Sequence, residues 1–369
     1  MDIDLERAYR LIMDAARPEQ LFGGTDIVLP PTTLCAHLET EVGRYRQIVE
    51  PSNYQNPEDL DAAREAQERL RVLVEEAERR IRAGTFALPA LPQGFASVPS
   101  SRRLNIGGRE YLIGPRIGEG RSTVRYRAYL SDQLGILGEV MIKVARDLPD
   151  SRAVRRELSI LQLLHESEVP QWKHLPFVID RFDAGGRIGA VLRSFPGPTL
   201  AAVRELPRYR SGVDQKHVMW IVDRLLSCLG YVHRLGVVHG TIDPSHVLIE
   251  PDTHNVCLTG WSFGVIAPAR SGERILVPPG VFSAPEVQSG AIGPWTDIYS
   301  VGKLMIWLAG GAPGSTHVPT AVAEPIRELL RSMVEEDSSL RPHDAWALAE
   351  QFAQIKQQLW QGRFFPFQV

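Results

Sequence analysis

A short stretch near residue 240 concentrates the side chains of this 369-residue chain that could do chemistry. Asp243 and His246 are three residues apart between two aliphatic runs, and they form a titratable pair that could serve as a base. Far upstream, Lys143 lies on an apolar, strand-like segment, where a buried ammonium needs an acidic partner. Gly118 and Gly120 form a turn that would let the backbone approach phosphate groups. These residues are the candidates for binding or catalysis.

Composition limits the class of protein. The chain is long enough for two or more domains, and its 44% hydrophobic and 23% charged residues are typical of globular proteins. A net charge of -3 gives no general attraction to nucleic acid or to membranes. Three isolated cysteines (Cys35, Cys228 and Cys257) match no metal spacing and favour a reducing compartment. With an acidic N-terminus and no apolar run long enough to span a bilayer, we expect a cytoplasmic protein.

The chain divides into four parts by pattern. Apolar residues recur at helical spacing in three segments and predict a helical module over residues 1–87, with Thr32 or Thr33 as a helix cap. Residues 88–103 are rich in proline and serine, which predicts a linker. Residues 104–355 form the main domain, and residues 356–369 form an aromatic tail that we expect to pack on it.

The segment Val238–Gly264 resembles the catalytic loop of protein kinases and the strand that follows it. In that family the loop reads His-Arg-Asp-Leu-Lys-Pro-x-Asn, and the strand ends in Asp-Phe-Gly. His239 and Pro244 fit this frame, and Trp261 stands at the place of the phenylalanine. The positions that carry catalysis and metal binding in the family are occupied by Thr241, Asp243, His246 and Gly260. In order, these replace the catalytic base, a lysine, and two magnesium ligands.

Each of these replacements removes part of the family's chemistry. Magnesium prefers hard oxygen ligands, whereas Gly260 has no side chain and His246 offers an imidazole without a recognisable set of further metal ligands. Thr241 cannot accept a proton at neutral pH, and loss of a positioned base typically costs about 10² to 10⁴-fold in rate. We therefore expect no catalytic residue and no metal site.

The resemblance extends to the nucleotide-binding elements. The run from Gly118 through Gly120 to Val124 resembles the glycine-rich loop, although the third glycine is absent and the loop looks one residue short. Lys143 matches the lysine that contacts the α- and β-phosphates, and Glu157 its helical partner. Such an ion pair is expected whether or not a nucleotide binds, so its role as a structural contact stays open.

Three later motifs match structural supports of the family, and they centre on Glu286, Asp297 and Arg341. With His239 and Trp261, they imply that the frame of the fold is kept. The resemblance predicts an α+β, bilobal protein kinase-like fold, with a small β-rich N-lobe and a helical C-lobe, preceded by a small all-α domain.

The helical module resembles a degenerate J domain in the order of its helices. J domains stimulate Hsp70 through a His-Pro-Asp turn, and Glu50-Pro51-Ser52 stands in its place here, so Hsp70 stimulation is not expected. A bundle that simply packs on the next domain explains the pattern equally well. The pairing of the two modules resembles multidomain bacterial signalling proteins.

Three functional hypotheses follow. The leading one is a pseudokinase: a scaffold or signalling adaptor that is not an enzyme, requires no cofactor, leaves room for ATP binding without magnesium, and recognises a protein partner. The second is an atypical kinase-fold enzyme that uses Asp243 and His246. The third is an interaction module whose nucleotide cleft is closed by Trp261 or Met141.

Overall fold

The computed structural model describes residues 4–23, 29–88, 102–361 and 365–369. The predicted linker therefore lies almost entirely outside the described residues. Four helices precede it: α1 (Leu5–Asp14), α2 (Pro18–Phe22), α3 (Pro31–Ile48) and α4 (Pro57–Arg82). The expected threonine cap of α3 is wrong, because the helix begins at Pro31, whose missing N–H suits the first helical position. Leu70 and Leu73 of α4 are buried in the core of this helical module.

An antiparallel sheet of six strands follows, in the order β1-β2-β3-β4-β6-β5. Its strands are β1 (Arg102–Ile106), β2 (Arg109–Glu119), β3 (Thr123–Asp132), β4 (Gly135–Ala145), β5 (Val178–Ala184) and β6 (Arg187–Arg193). Helix α5 (Ser151–Leu164) packs against the sheet through buried residues such as Val154 and Leu158. We call residues 102–193 the sheet lobe.

The rest of the chain is mostly helical, and we call residues 200–360 the helical lobe. Its helices are α6 (Leu200–Glu205), α7 (Gln215–Arg234), α8 (Pro268–Ser271), α9 (Pro294–Leu308), α10 (Glu324–Met333) and α11 (Ala345–Trp360). Short strands lie between α7 and α8: β7 (Val237–Val238), β8 (Val247–Glu250), β9 (Asn255–Leu258) and β10 (Val265–Ile266). Nearly all of α9 is buried, as expected for a central helix that is apolar on every side.

Two arginines contribute to the contact between the helical module and the sheet lobe. Arg17 forms an ion pair with Asp132 in the β3–β4 hairpin, with 2.9 Å between nitrogen and oxygen. Arg193, at the end of β6, donates a hydrogen bond of 2.9 Å to the carbonyl of Phe86 and another to the carbonyl of Ala87. The end of the module thus lies against the segment that joins the two lobes.

The C-terminal tail packs on the helical lobe. Phe367 is buried, with its ring centroid 4.4 Å from that of His217 and 5.2 Å from that of Tyr209. His254 donates through Nε2 to the carbonyl of Phe365 at 3.0 Å. Within the described residues, no helix combines the length and the apolar character that a membrane crossing requires. The predicted α+β architecture, with helices first and an antiparallel sheet next, is confirmed.

Candidate functional site

A cavity of about 900 Å³ lies between the sheet lobe and the helical lobe. Strands β3 and β4, the loop over residues 240–246 and the segment 275–283 contribute to its walls. Lys143, Glu157, Asp243 and His246, which are far apart in sequence, all line it. Its volume falls within the range of ordinary small-molecule sites, roughly 300–1,000 Å³.

A buried ion pair forms part of the cavity wall on the sheet side. Lys143 Nζ lies 2.5 Å from Glu157 Oε2, and Ser262 Oγ donates to the same oxygen at 2.5 Å. Burial raises the pKa of Glu157, but Lys143 and the hydrogen bond from Ser262 outweigh that effect, so its pKa lies below the usual range. The carboxylate is thus ionised at neutral pH and holds the ammonium at the cavity.

The loop on the opposite wall is held from below by one carboxylate. Asp297 is fully buried, and its two oxygens accept hydrogen bonds from the backbone N–H of His239 at 2.9 Å and of Gly240 at 2.7 Å. His233 Nε2 lies 2.9 Å from the same side chain. These contacts fix the start of the loop against α9.

His239 is neutral, because burial lowers its pKa to about 4. Its Nε2 donates to the carbonyl of Thr259 at 2.8 Å, which leaves Nδ1 as the acceptor for the backbone N–H of Thr241 at 3.3 Å. The ring therefore links the loop to the end of β9.

Buried neutral histidines make stability depend on pH. Burial also lowers the pKa of His174 to about 3, whereas an unfolded histidine titrates near about 6.5. The unfolded state thus binds more protons below pH ~6.5, and the free energy of unfolding should fall as pH drops toward the folded pKa. Between pH ~6.5 and ~4.5, the free energy of unfolding should fall by on the order of 2 kcal/mol less in His174→Gln than in the wild type. Urea unfolding at several pH values would test this, with the exposed His343→Gln as control; equal slopes for both variants would contradict it.

The polar residues of the loop have distinct surroundings. Asp243 Oδ1 accepts from the backbone N–H and the hydroxyl of Ser245 at 2.7 and 2.6 Å, while Oδ2 lies 3.7 Å from His246 Nδ1. His246 Nδ1 donates to the carbonyl of Thr241 at 2.6 Å. Among the described contacts, Asp243 Oδ2 thus accepts no hydrogen bond.

The position of the His246 ring requires a glycine at residue 260. Its φ is +90°, and a Cβ at this position would lie 2.6 Å from His246 Cδ2. An aspartate does not fit here while His246 holds this place. Glycine and imidazole thus occupy, as a complementary pair, the two positions that the kinase resemblance assigns to magnesium ligands.

These residues do not fit a magnesium site, because they offer no carboxylate and magnesium seeks hard oxygen ligands. Within the described residues there is also no group of three or more His, Cys, Asp or Glu side chains placed to hold a metal ion.

Trp261 lies below the cavity. It is fully buried, its Nε1 donates to the carbonyl of Leu258 at 2.8 Å, and its ring centroid is 4.5 Å from that of His239. Among the described residues that line the cavity, Met141 is present and Trp261 is not. Since the cavity keeps its volume, neither side chain closes it, which disfavours the hypothesis of an occluded cleft.

The glycine-rich turn differs from the sequence interpretation in one respect. Gly120 lines the cavity. Among the residues that the structure describes, Gly118 and Val124 do not line it. Val124 is paired with Val144, the residue after Lys143, and so points to the other face of the sheet. Arg125 takes the cavity-facing place instead. Side chains alternate between the two faces of a strand, and Arg125 pairs with Lys143 in the neighbouring strand. This alternation was the signal that could have identified Arg125.

A second residue missed from the sequence is Ile275. Gly240 has a φ of +73°, and a Cβ there would lie 2.3 Å from Ile275 Cδ1. Ile275 is buried against the loop. It packs on Gly240, which stands where the family motif carries arginine. Nothing in the sequence signals this contact, because the two residues meet only in the folded chain.

The remaining structural motif forms a buried ion pair in the helical lobe. Arg341 Nη1 lies 2.8 Å from Glu286 Oε1, and Thr296 Oγ1 donates to the same oxygen at 2.9 Å. The Arg341 side chain is fully buried and also donates to the carbonyls of Glu335 and Glu336. This pair joins the segment 283–287 to residue 341, ahead of α11, and neither Glu286 nor Arg341 lines the cavity.

Comparison with known proteins shows a similarity to a protein kinase. No protein-family model matches the chain. The chain is 28% identical over 297 residues to the DNA damage-responsive serine/threonine-protein kinase RqkA of Deinococcus radiodurans, in a match that covers 69% of this chain. The chain spans only 41% of the length of that relative.

This similarity corrects one expectation. The prediction that the chain is not an enzyme is contradicted, since the relative is a serine/threonine-protein kinase and points to phosphotransfer. The physical reason is that replacement of motif residues removes one known route for the reaction and does not exclude another arrangement of groups. The sequence similarity and the two-lobed architecture together support a protein kinase-like fold.

Proposed function

We propose that the chain is a kinase-like signalling protein that binds a nucleotide between its lobes and recognises a protein partner. The observation that carries this proposal is the Lys143–Glu157 ion pair at the wall of an open cavity. Breaking such a buried pair is costly, so the lysine is held in place before any ligand arrives. A preorganised cation at an open cavity is suited to the phosphates of a nucleotide.

Calorimetric titration with ATP, ADP and GTP tests nucleotide binding directly. We expect saturable binding of at least one of them, and loss of that binding in Lys143→Met, which keeps most of the length of the side chain and removes its charge. The matched control is Lys216→Met, because Lys216 is half-buried and lies outside the cavity. Absence of binding by the folded wild-type protein would sink the proposal.

A second candidate function is phosphotransfer with Asp243 as the base. Its free Oδ2 could take the proton from a substrate hydroxyl, whose oxygen would then attack the terminal phosphorus of a nucleoside triphosphate and release the diphosphate. The kinase relative favours this candidate, as does the position of Asp243 in the cavity wall.

Replacing Asp243 by asparagine tests this second candidate. We expect a loss of about 10² to 10⁴-fold in the rate of transfer to a peptide or to the protein itself, the usual contribution of a positioned base. Asp337→Asn is a close control, because Asp337 Oδ1 accepts from the N–H and hydroxyl of Ser339 in the same local arrangement. Equal rates for the two variants would exclude Asp243 as the base.

The segment 270–283 is the proposed surface for a protein partner. Leu276 is 81% exposed and Val281 is 59% exposed, and Val281 also lines the cavity. Apolar side chains so open to solvent in one short segment fit a contact with another protein. We do not expect the helical module to stimulate Hsp70, because Glu50-Pro51-Ser52 offers neither the histidine nor the aspartate of the J-domain turn. An ATPase assay of Hsp70 with the purified chain would check this.

A further inference from the structure

Two cations stand directly opposite each other on the cavity face of the sheet. In the β3–β4 ladder the Cα of Arg125 pairs with that of Lys143, so both side chains leave the same face. Directly opposite residues of an antiparallel pair have Cβ atoms roughly 4.5–5.5 Å apart, and like charges in this arrangement destabilise the sheet. Both residues line the cavity.

Lys143 is neutralised, and Arg125 is not. Lys143 forms its ion pair with Glu157. Throughout the ranges that the structure describes, Arg125 has neither an ion pair nor a hydrogen bond. It is only partly exposed, so solvent does not fully compensate its charge.

The other acidic side chains of the cavity are occupied elsewhere. Glu139 lies 3.3 Å from Arg127, and Glu119 pairs with Arg116 and Arg146, which lie outside the described cavity lining. Asp243 is engaged with Ser245 on the far wall. In the described lining, five cationic side chains thus face four acidic ones; Arg127 and Lys143 are paired with two of these carboxylates, and Arg125 is paired with none of them.

The glycine-rich turn makes room for this arginine. A Cβ at Gly118 would lie 2.8 Å from Arg125 Nη2 and 3.3 Å from its Cζ, so the guanidinium lies against the backbone of Gly118. Gly118 is also the strand partner of Arg125. Any larger residue at 118 would push the guanidinium from this place.

We propose that Arg125 and Lys143 together bind the phosphates of a nucleoside polyphosphate without a metal ion. This inference deepens the proposed nucleotide-binding function and rests on it. A guanidinium presents several N–H donors in a fixed plane and pairs with phosphate in a bidentate way, whereas an ammonium acts as a point charge. The two cations compensate the phosphate charge that magnesium would otherwise neutralise, in a cleft whose His246 and Gly260 do not suit that metal.

Calorimetric titration of the full chain with ATP, adenosine and inorganic tripolyphosphate, in EDTA and in excess magnesium, tests the proposal. We expect ATP to bind in EDTA at least as tightly as with magnesium. Arg125→Gln should weaken ATP binding by about tenfold or more, because hydrogen bonds between charged groups are the strong ones, and should leave adenosine binding unchanged. Arg125→Lys should retain an intermediate affinity, and the exposed Arg152→Gln, outside the cavity, should match the wild type.

The outcomes separate this proposal from the function on which it rests. If ATP binds only with magnesium, or equally well to wild type and Arg125→Gln, the metal-free site is wrong while nucleotide binding stands. If tripolyphosphate binds through Arg125, ATP binds no more tightly than tripolyphosphate, and adenosine does not bind, then the anion site is supported and the nucleotide-binding function is contradicted. If none of the three binds the folded protein, both are overturned.

Discussion

Replacing Asp297 by alanine is expected to lower the free energy of unfolding by roughly 2–6 kcal/mol, because two buried backbone donors lose their acceptor. These donors are the N–H groups of His239 and Gly240, and His233 loses its contact as well. Asp297→Asn should be only slightly milder, since its amide nitrogen would face one of these N–H groups as a second donor. Chemical denaturation measures the loss.

Asp344→Ala is the control for that experiment. Asp344 caps α11 by accepting from the N–H groups of Trp346 and Ala347, and its exposed position makes loss of the cap worth about 1 kcal/mol. A loss for Asp297→Ala no larger than for Asp344→Ala would contradict the role of Asp297 as the anchor of the loop. Because the loop forms one wall of the cavity, the larger loss should also weaken nucleotide binding.

The second large effect is expected at Arg341. Arg341→Met leaves Glu286 buried without its cation, which typically costs about 3–5 kcal/mol. The double variant Glu286→Gln with Arg341→Met should recover a large part of this loss, because no uncompensated charge then remains. Denaturant unfolding of the two single variants and the double variant gives the coupling.

An exposed ion pair provides the matched control for Arg341. Arg331 pairs with Glu324 at 2.8 Å, but both side chains are about half exposed, so Arg331→Met should cost about 0–1 kcal/mol. Similar losses in the free energy of unfolding for Arg341→Met and Arg331→Met, or strict additivity in the double variant, would contradict the expectation that the buried Glu286 pair contributes more to stability than an exposed one.

The fold was largely readable from the sequence because local patterns and motif order agree. The spacing of apolar residues located α4, and the position of Lys143 on an apolar strand indicated a need for an acidic partner. Residues on one face of a strand or helix recur with a period of 2 or 3.6 residues, and such patterns can be recognised in the sequence alone.

Contacts between distant segments were not readable. The side chain of Ile275 against Gly240, and the guanidinium of Arg193 against the carbonyl of Phe86, depend on tertiary packing that no local pattern encodes. Arg125 was missed because the turn was aligned to the family loop with one residue missing, which assigned its place to Val124. A shift of one residue in a strand moves a side chain to the opposite face.

Thermal unfolding with and without ATP tests the central claim, that the cavity holds a nucleotide. A ligand that binds only the folded state at about 100 times its dissociation constant adds roughly 2.7 kcal/mol of stability, which is visible as a rise in Tm. We predict this rise for the wild type and for Lys216→Ala, with no rise for Lys143→Ala relative to its own ligand-free Tm. An unchanged Tm of the wild type with saturating ATP, ADP and GTP, both with and without magnesium, would contradict the account.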